Sequence, residues 1–177
     1  EISATNPCGE QCLPPSNCCL LGSFNLTKYL DGLVFDWHSF ANDIPLVVEA
    51  YDNLIDVAVY PTEAQRREER SKRRIGLGIT GLANTGELLG YPYGSSAFLN
   101  FTEVVMKILR NKAYETSVLL AKDRGQFEEL DGYIEDYLDS LYIQKNIPVN
   151  LRDTIRETGI RNSHLLSIAP TGTMSLC

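Results

Sequence analysis

The stretch Asn6-Pro7-Cys8-Gly9-Glu10-Gln11-Cys12-Leu13-Pro14-Pro15-Ser16-Asn17-Cys18-Cys19-Leu20-Leu21-Gly22-Ser23-Phe24-Asn25-Leu26 holds four of the five cysteines of the chain and no helical period. Pro7, Gly9, Pro14, Pro15 and Gly22 punctuate it, which predicts a loop followed by a short strand around Cys18 to Leu21. At its head, Asn6, Cys8 and Glu10 stand at alternate positions, and in an extended loop such residues project to one side. That face would join an amide that can hold a hydroxyl, a thiol that can attack or abstract, and a carboxylate that can take a proton. A Pro-Gly turn with incidental polar residues fits the same spacing.

Working outward, the chain has 177 residues, 44% of them apolar and 22% charged, the mix of an ordinary globular domain. Its net charge of −7 argues against a nucleic-acid coat or an anionic-membrane binder, since either needs a basic patch. No apolar run approaches the roughly 20 residues of a membrane span; Ile44 to Val59 is broken by Glu49, Asp52, Asn53 and Asp56. No basic-then-apolar signal segment opens the chain. The expectation is a soluble, cytoplasmic protein without nucleic-acid or membrane partners. An odd cysteine count outside a secretory context speaks against a disulfide framework. The cysteine spacings, with only His38 and His164 as histidines, do not suit a zinc site, so no metal is expected. Unpaired thiols then point to cysteine chemistry, or to no role at all.

Beyond the cysteine-rich stretch the patterning becomes helical. Ile44, Val47, Val48, Tyr51, Leu54, Ile55 and Ala58 form one apolar face of a helix that ends before Pro61. Pro45 suits only a first turn, so the regular helix is expected to begin near it. Residues 63–74 are a mixed charge run that reads as a solvated loop or an exposed helix. Ile75 to Thr80 reads as a buried strand with two glycines, followed by a small helix from Leu82 to Leu89. A long helix runs from about Ser96 to Arg124, with Phe98, Phe101, Val105, Ile108, Leu109, Val118 and Leu119 inward, closed by Gly125. Residues 126–147 read as short surface helices, Leu151 to Glu157 as another helix, and Ser163 to Ala169 as a last strand. His38 reads as a helix-surface residue and His164 as a strand-packing one. The final Pro170-Thr-Gly-Thr-Met-Ser175 offers hydroxyls, and free N–H groups if a helix follows, which suits a phosphate. An ordinary turn fits it equally.

Taken together, Asn6-Pro-Cys-Gly-Glu10, Leu13-Pro-Pro15 and Cys19-x-Leu-Gly-Ser-x-Asn25 resemble the active-site finger loop of ribonucleotide reductase catalytic subunits. The wording is similar to the class II, adenosylcobalamin-dependent branch in particular. Three further landmarks follow in the order of that family: Arg74-Ile-Gly-Leu-Gly-Ile-Thr-Gly-Leu-Ala83, Leu88-Leu-Gly-x-Pro-Tyr-Gly-Ser95, and Arg161-Asn162 with Ser167-Ile-Ala-Pro-Thr-Gly-Thr-Met-Ser175. The resemblance implies a helix-rich α/β fold, part of a ten-stranded α/β barrel with the finger threaded through its centre. Residues 1–177 would form one partial barrel domain: finger loop and adjoining strand at 1–34, a mainly helical body with one strand at 35–162, and a strand with a phosphate-binding loop at 163–177. A core that depends on barrel strands elsewhere is expected.

The implied function is radical reduction of ribonucleotides to 2′-deoxyribonucleotides for DNA synthesis. Cys8 matches the cysteine that becomes a thiyl radical and takes the 3′ hydrogen. Glu10 matches the base for the 3′ hydroxyl, Asn6 the amide that orients the ribose hydroxyls, and Cys19 one of two thiols that end as a disulfide. Thr171, Gly172, Thr173 and Ser175 match the substrate-phosphate loop. No ordinary side chain starts such a radical unaided, so a cofactor is needed; the resemblance to the class II branch alone implies that it is adenosylcobalamin. The implied partners are a ribonucleotide, complementary reductase polypeptide or flanking chain, and a thioredoxin-like reductant. The chain reads as an internal segment, inactive when isolated. Cys12 replaces a usual proline, Asn84 a common aspartate, and Cys18 adds a thiol beside Cys19; Cys12, Cys18 and Cys177 have no implied role. Two other readings fit a finger-loop cysteine: a glycyl-radical enzyme on the same barrel, or a non-catalytic fragment that completes the barrel of a split reductase.

Overall fold

The computed structural model describes residues 3–176; Cys177 lies outside them. The chain opens with a small hairpin of β1 (Ala4–Thr5) and β2 (Cys12–Leu13), then enters β3 (Leu20–Asn25). A 3-10 turn at Leu26–Tyr29 leads to a second hairpin, β4 (Leu30–Asp31) and β5 (Val34–Phe35). Helices α1 (Trp37–Val57) and α2 (Glu63–Lys72) then carry the chain to β6 (Ile75–Thr80), which pairs with β3 in parallel from Leu20↔Ile75 to Asn25↔Thr80. After α3 (Leu82–Leu88) and the long α4 (Ser96–Arg124) come α5 (Ile134–Asp139), α6 (Leu141–Asn146) and α7 (Val149–Thr158).

The expected last strand at Ser163–Ala169 is reduced to one parallel bridge, Leu77↔Leu166. Leu77 N donates to Leu165 O (2.8 Å) and Ser167 N to Leu77 O (3.0 Å). This segment therefore lies on the other side of β6 from β3, and β6 is central, with Ile75 to Ile79 all buried. Its two glycines are explained by that position. A Cβ at Gly78 would run into the backbone oxygen of Ser167, and one at Gly76 would stand 3.0 Å from both Ser167 Cβ and Cys19 Sγ. Only a strand without side chains on that face lets the third segment approach so closely. Three parallel elements and their helices make a helix-rich mixed α/β fold; among the described residues they do not close into a barrel.

Helix α1 starts eight residues before Pro45, not at it. Its N-cap Asp36 accepts from Ser39 N (3.0 Å), and Phe40, Ile44 and Val48 are fully buried on both sides of the proline. Packing against α4 outweighs the one backbone bond that proline removes. The buried face also differs from the expected one: Leu54 is exposed, and so is Leu119 on α4. Ser95 caps α4 and Gly125 ends it, as expected. The apolar cluster is continuous, from Phe24, Phe35 and Phe40 through Val105 and Leu109 to Leu138, Ile155 and Leu165. The helices thus supply a core that the expectation had left to other barrel strands.

The position that should extend the 40-44-48 row is Asp52, and it is 0% exposed. Its Oδ1 accepts from Arg73 Nε (2.8 Å) and Asn162 Nδ2 (3.1 Å), and its Oδ2 from Arg161 Nε (3.3 Å). Asp56, one turn on, takes both terminal nitrogens of Arg73 (2.8 and 2.9 Å), and those bonds hold its carboxyl below the usual range. Asn162 Oδ1 accepts from Ser117 Oγ of α4 (2.8 Å). The end of the charge run, expected to be solvated, is therefore buried: Glu69, Arg73 and Arg74 are each 5% exposed or less. An Asp52→Ala variant leaves Arg73 and Arg161 facing an empty acceptor and should lose about 3–5 kcal/mol of unfolding free energy. Chemical denaturation checks this, and a loss comparable to that of a surface aspartate would contradict it.

Candidate active site

β1 and β2 pair antiparallel (Ala4↔Leu13, Thr5↔Cys12) and close the loop between them. Gly9 N donates to Asn6 O (3.0 Å), Asn6 N to Gln11 O (3.3 Å), and Gln11 N to Asn6 Oδ1 (3.0 Å). Pro7 and Gly9 thus occupy the second and fourth positions of a β-turn, as their backbone preferences favour. The extended loop with three side chains on one side is corrected to a tight turn. Asn6, Cys8 and Glu10 remain together because the turn folds them into one hairpin tip. The Cys8 thiol is free and exposed at that tip, whereas Asn6 and Glu10 are half-buried.

Three polar atoms of this tip are buried without a hydrogen-bond partner: Asn6 Nδ2, Glu10 Oε2 and Gln11 Oε1. Unpaired buried polar atoms are costly, and these three lie within the six-residue stretch that carries the exposed Cys8 thiol. Gln11, only 7% exposed, was not among the expected site residues. Its signal was its place beside Glu10, which polarity alone did not distinguish from a loop residue.

Cys19 sits at the entry to β3, its sulfur against the bare Cα of Gly76. Ser167 Oγ donates to Glu10 O (3.3 Å), so the third parallel segment holds the finger next to this thiol. Burial pushes the Cys19 thiol up to about 12, helped by the Glu69 and Glu10 carboxylates and opposed by Arg74. Cys18 is raised by burial and by Glu69. Burial likewise raises Glu69 to about 7, against the pull of the Cys18 N–H and of Arg74. Sequence reasoning missed Glu69 and Arg74 because acids and bases alternate in that run; the available signal was that the run leads directly into a wholly buried strand.

The phosphate-loop candidates lie at the end of the third segment. Thr171 (φ +56°) is half-buried, with Oγ1 3.0 Å from Thr80 Oγ1 at the end of β6. Gly172, Thr173 and Ser175 are exposed. Met174–Leu176 form a 3-10 turn in which Ser175 N donates to Thr171 O (3.0 Å) and Ser175 Oγ to Gly172 O (2.6 Å). The Ser175 donors are thus already engaged. The Cys8 hairpin and the Thr171–Ser175 loop are joined through Ser167 and its segment; no hydrogen bond links them directly among the described residues. An apolar concavity of about 520 Å³ is lined by Met106, Tyr114, Tyr137 and Ile143, with residues 163–168 of that segment along its wall. It contains none of the expected site residues. His38 is exposed on α1, bonded to Asn42 (2.9 Å), and His164 lies at an exposed position beside Ser163 rather than packed in a strand. Among the described residues no group of three or more His, Cys, Asp or Glu side chains converges as a metal site, and no helix is long and apolar enough to cross a membrane.

A thiol-bearing hairpin ahead of three parallel elements, with helices packed around them, defines a helix-rich mixed α/β fold. The family described as ribonucleotide reductase, barrel domain, matches residues 1–177, and the chain belongs to that family. A vitamin B12-dependent ribonucleoside-diphosphate reductase of Mycobacterium tuberculosis is 36% identical over 99% of this chain and 23% of its own length. The protein of the same description from Thermoplasma acidophilum is 34% identical over 99% of this chain and 21% of its own length. A ribonucleoside-diphosphate reductase subunit alpha of Chlamydia pneumoniae is 31% identical over 89% of this chain and 17% of its own length. The chain therefore spans less than a quarter of the length of these relatives.

Asn6→Ala removes the acceptor of the Gln11 amide. Because one such bond is worth about 1 kcal/mol, hydrogen exchange at Gln11 should quicken about five-fold, with β6 amides unchanged. Equal exchange in both proteins would show that the side chain does not hold the turn.

Proposed function

We propose that this chain is the part of a ribonucleotide reductase that carries the finger loop and contributes to 2′-deoxyribonucleotide formation. The observation that carries the reading is the hairpin tip, where an exposed free thiol stands among unpaired buried atoms of Asn6 and Glu10. Cys8 Sγ bears the unpaired electron and takes the 3′ hydrogen of the substrate ribose. Glu10 Oε2 accepts the proton of the 3′ hydroxyl, and Asn6 Nδ2 donates to the ribose oxygens. Cys19 is one of the two thiols whose electrons reduce the 2′ carbon, and a thioredoxin-like dithiol restores the pair. Thr171, Gly172, Thr173 and Ser175 belong to the substrate-phosphate loop. The names of the relatives favour a ribonucleoside diphosphate as substrate.

The division into finger (1–34), helical body (35–162) and phosphate loop (163–177), within a ten-stranded barrel completed by further polypeptide, belongs to the same proposal, as does a cytoplasmic location. The relatives that are named for vitamin B12 favour adenosylcobalamin as the cofactor. When bound, it supplies the carbon-centred radical that such chemistry requires at the start. The exposure of Cys8 fits a thiol that must be reached from outside this segment, and Cys8 is the residue that would face the cofactor.

The test is deoxynucleotide formation by the full-length protein, with its complementary reductase polypeptide if there is one. Product should require adenosylcobalamin, fall by at least about 10³-fold in Cys8→Ser, in which the radical-bearing atom is gone, and fail to turn over with a dithiol in Cys19→Ser. Full activity of Cys8→Ser overturns the site, and product that depends on an iron subunit instead of cobalamin overturns the cofactor.

A further inference from the structure

Ser167 is gripped on every side, although the segment around it is irregular. It is 6% exposed, and its N–H donates to Leu77 O (3.0 Å) on β6. Its carbonyl oxygen lies over the bare Cα of Gly78, 2.4 Å from where a Cβ would stand, and its own Cβ is 3.0 Å from the corresponding point on Gly76. Neither glycine has a positive φ, so clearance and not backbone conformation excludes a side chain there. The Cys19 sulfur shares the niche, also 3.0 Å from the Gly76 point. The Ser167 hydroxyl donates to Glu10 O (3.3 Å). Among the described residues this is the only hydrogen bond that ties the Cys8 hairpin to the rest of the fold.

We propose that Ser167, seated in the notch of Gly76 and Gly78, is a positioning residue for the radical reaction: it docks the Cys8 hairpin beside Cys19 so that both thiols reach one ribose. The proposal rests on the reading of Cys8 as the radical thiol and Cys19 as a reducing one. In that reading the two sulfurs act on adjacent carbons of the sugar, the 3′ and the 2′. Reacting atoms have to lie about 3–3.5 Å apart, and a shift of about 1 Å can cost about 10²-fold in rate. The hairpin pairs only two residues of each strand and has no stability of its own in water, so its placement needs an outside anchor. The segment of Ser167 supplies one whose far end is fixed as well, by Thr171 Oγ1 on Thr80 Oγ1 (3.0 Å). The hairpin and the proposed phosphate loop are thereby set from one stretch of backbone laid along β6.

The experiment compares wild type with Ser167→Ala in the full-length, reduced protein, with its complementary reductase polypeptide if there is one. Amide hydrogen exchange over residues 4–13 should quicken about fivefold in Ser167→Ala, the equivalent of one lost hydrogen bond, while β6 and α4 exchange as before. Deoxynucleotide formation should slow about tenfold. Deuterium at the 3′ carbon should slow the variant by a larger factor than it slows wild type, because transfer of that hydrogen to Cys8 becomes the slow step. A loss of stability alone would lower kcat and leave the isotope effect where it was. Gly78→Ala, whose added methyl meets Ser167 and Ile168, should release residues 4–13 in the same way. Exchange at 4–13 that is unchanged in Ser167→Ala, or that rises equally in β6, overturns the proposal, and so does an unchanged isotope effect. The exchange readout needs no turnover: it fails if Ser167 does not hold the hairpin, whereas the Cys8→Ser assay fails if Cys8 is not the radical thiol.

Discussion

The carboxylate of Asp52 is the fixed point of this structure. It occupies a place on α1 that packing alone would give to an apolar side chain, and burial of its charge is tolerable only because three side-chain donors bond it. Those donors come from Arg73, Arg161 and Asn162, and Asn162 is in turn held by Ser117. One ion thereby ties together α1, α4, the junction of α2 with β6, and the turn that leads into the third parallel segment. Such an arrangement is a poor source of net stability against an all-apolar alternative, but removal of one member is expensive. Its consequence is orientation: Arg73 ends α2 in a left-handed conformation (φ +48°) with its guanidinium on the Asp52 side. Arg74 is thereby released towards Cys19, Glu69 and Cys12.

The rigid body built on that ion carries two less constrained pieces. The finger hairpin is held by its own turn and by one bond from Ser167 to Glu10, and the last loop by Thr80 and its internal bonds. Unpaired buried polar atoms occur at the finger tip, on Asn6, Glu10 and Gln11, and also in the interior, on Glu69 and Arg74, whereas the Asp52 network is satisfied. That partition suits the proposed chemistry, in which a substrate and polypeptide elsewhere complete the site. It also explains why the thiols differ: Cys8 is open at a tip, while Cys19 lies against Gly76 in a poorly solvated layer with acids around it.

Local chemistry made much of this legible. Ile75–Thr80 as a strand and Ser96–Arg124 as a helix follow from apolar patterning, a serine cap and a terminal glycine, all of which act within a few residues. The order of the motifs around Cys8, Gly76, Ser95 and Thr171 sufficed to suggest the family that the comparison then showed. Errors arose where distant partners decide. A proline costs a backbone bond, which locally favours a helix start at Pro45, yet burial of Phe40 and Ile44 carries the helix through it. Leu54 and Leu119 were assigned inward by period and face outward. Ser163–Ala169 has the composition of a strand but pairs with β6 through a few backbone bonds around one bridge, Leu77↔Leu166, and not along its length.

The amino-acid sequence by itself determined the main helices, the strand at Ile75–Thr80 and the family, because propensity, capping and motif order are local properties. The tertiary structure alone decided which charges are buried. Asp52, Glu69, Arg73 and Arg74 look like solvated residues when each is read beside its neighbours in the chain. Whether a charge stays in water depends on what packs over it, and for these four the covering atoms come from α4, β3 and the turn at Arg161–Asn162, far away in sequence.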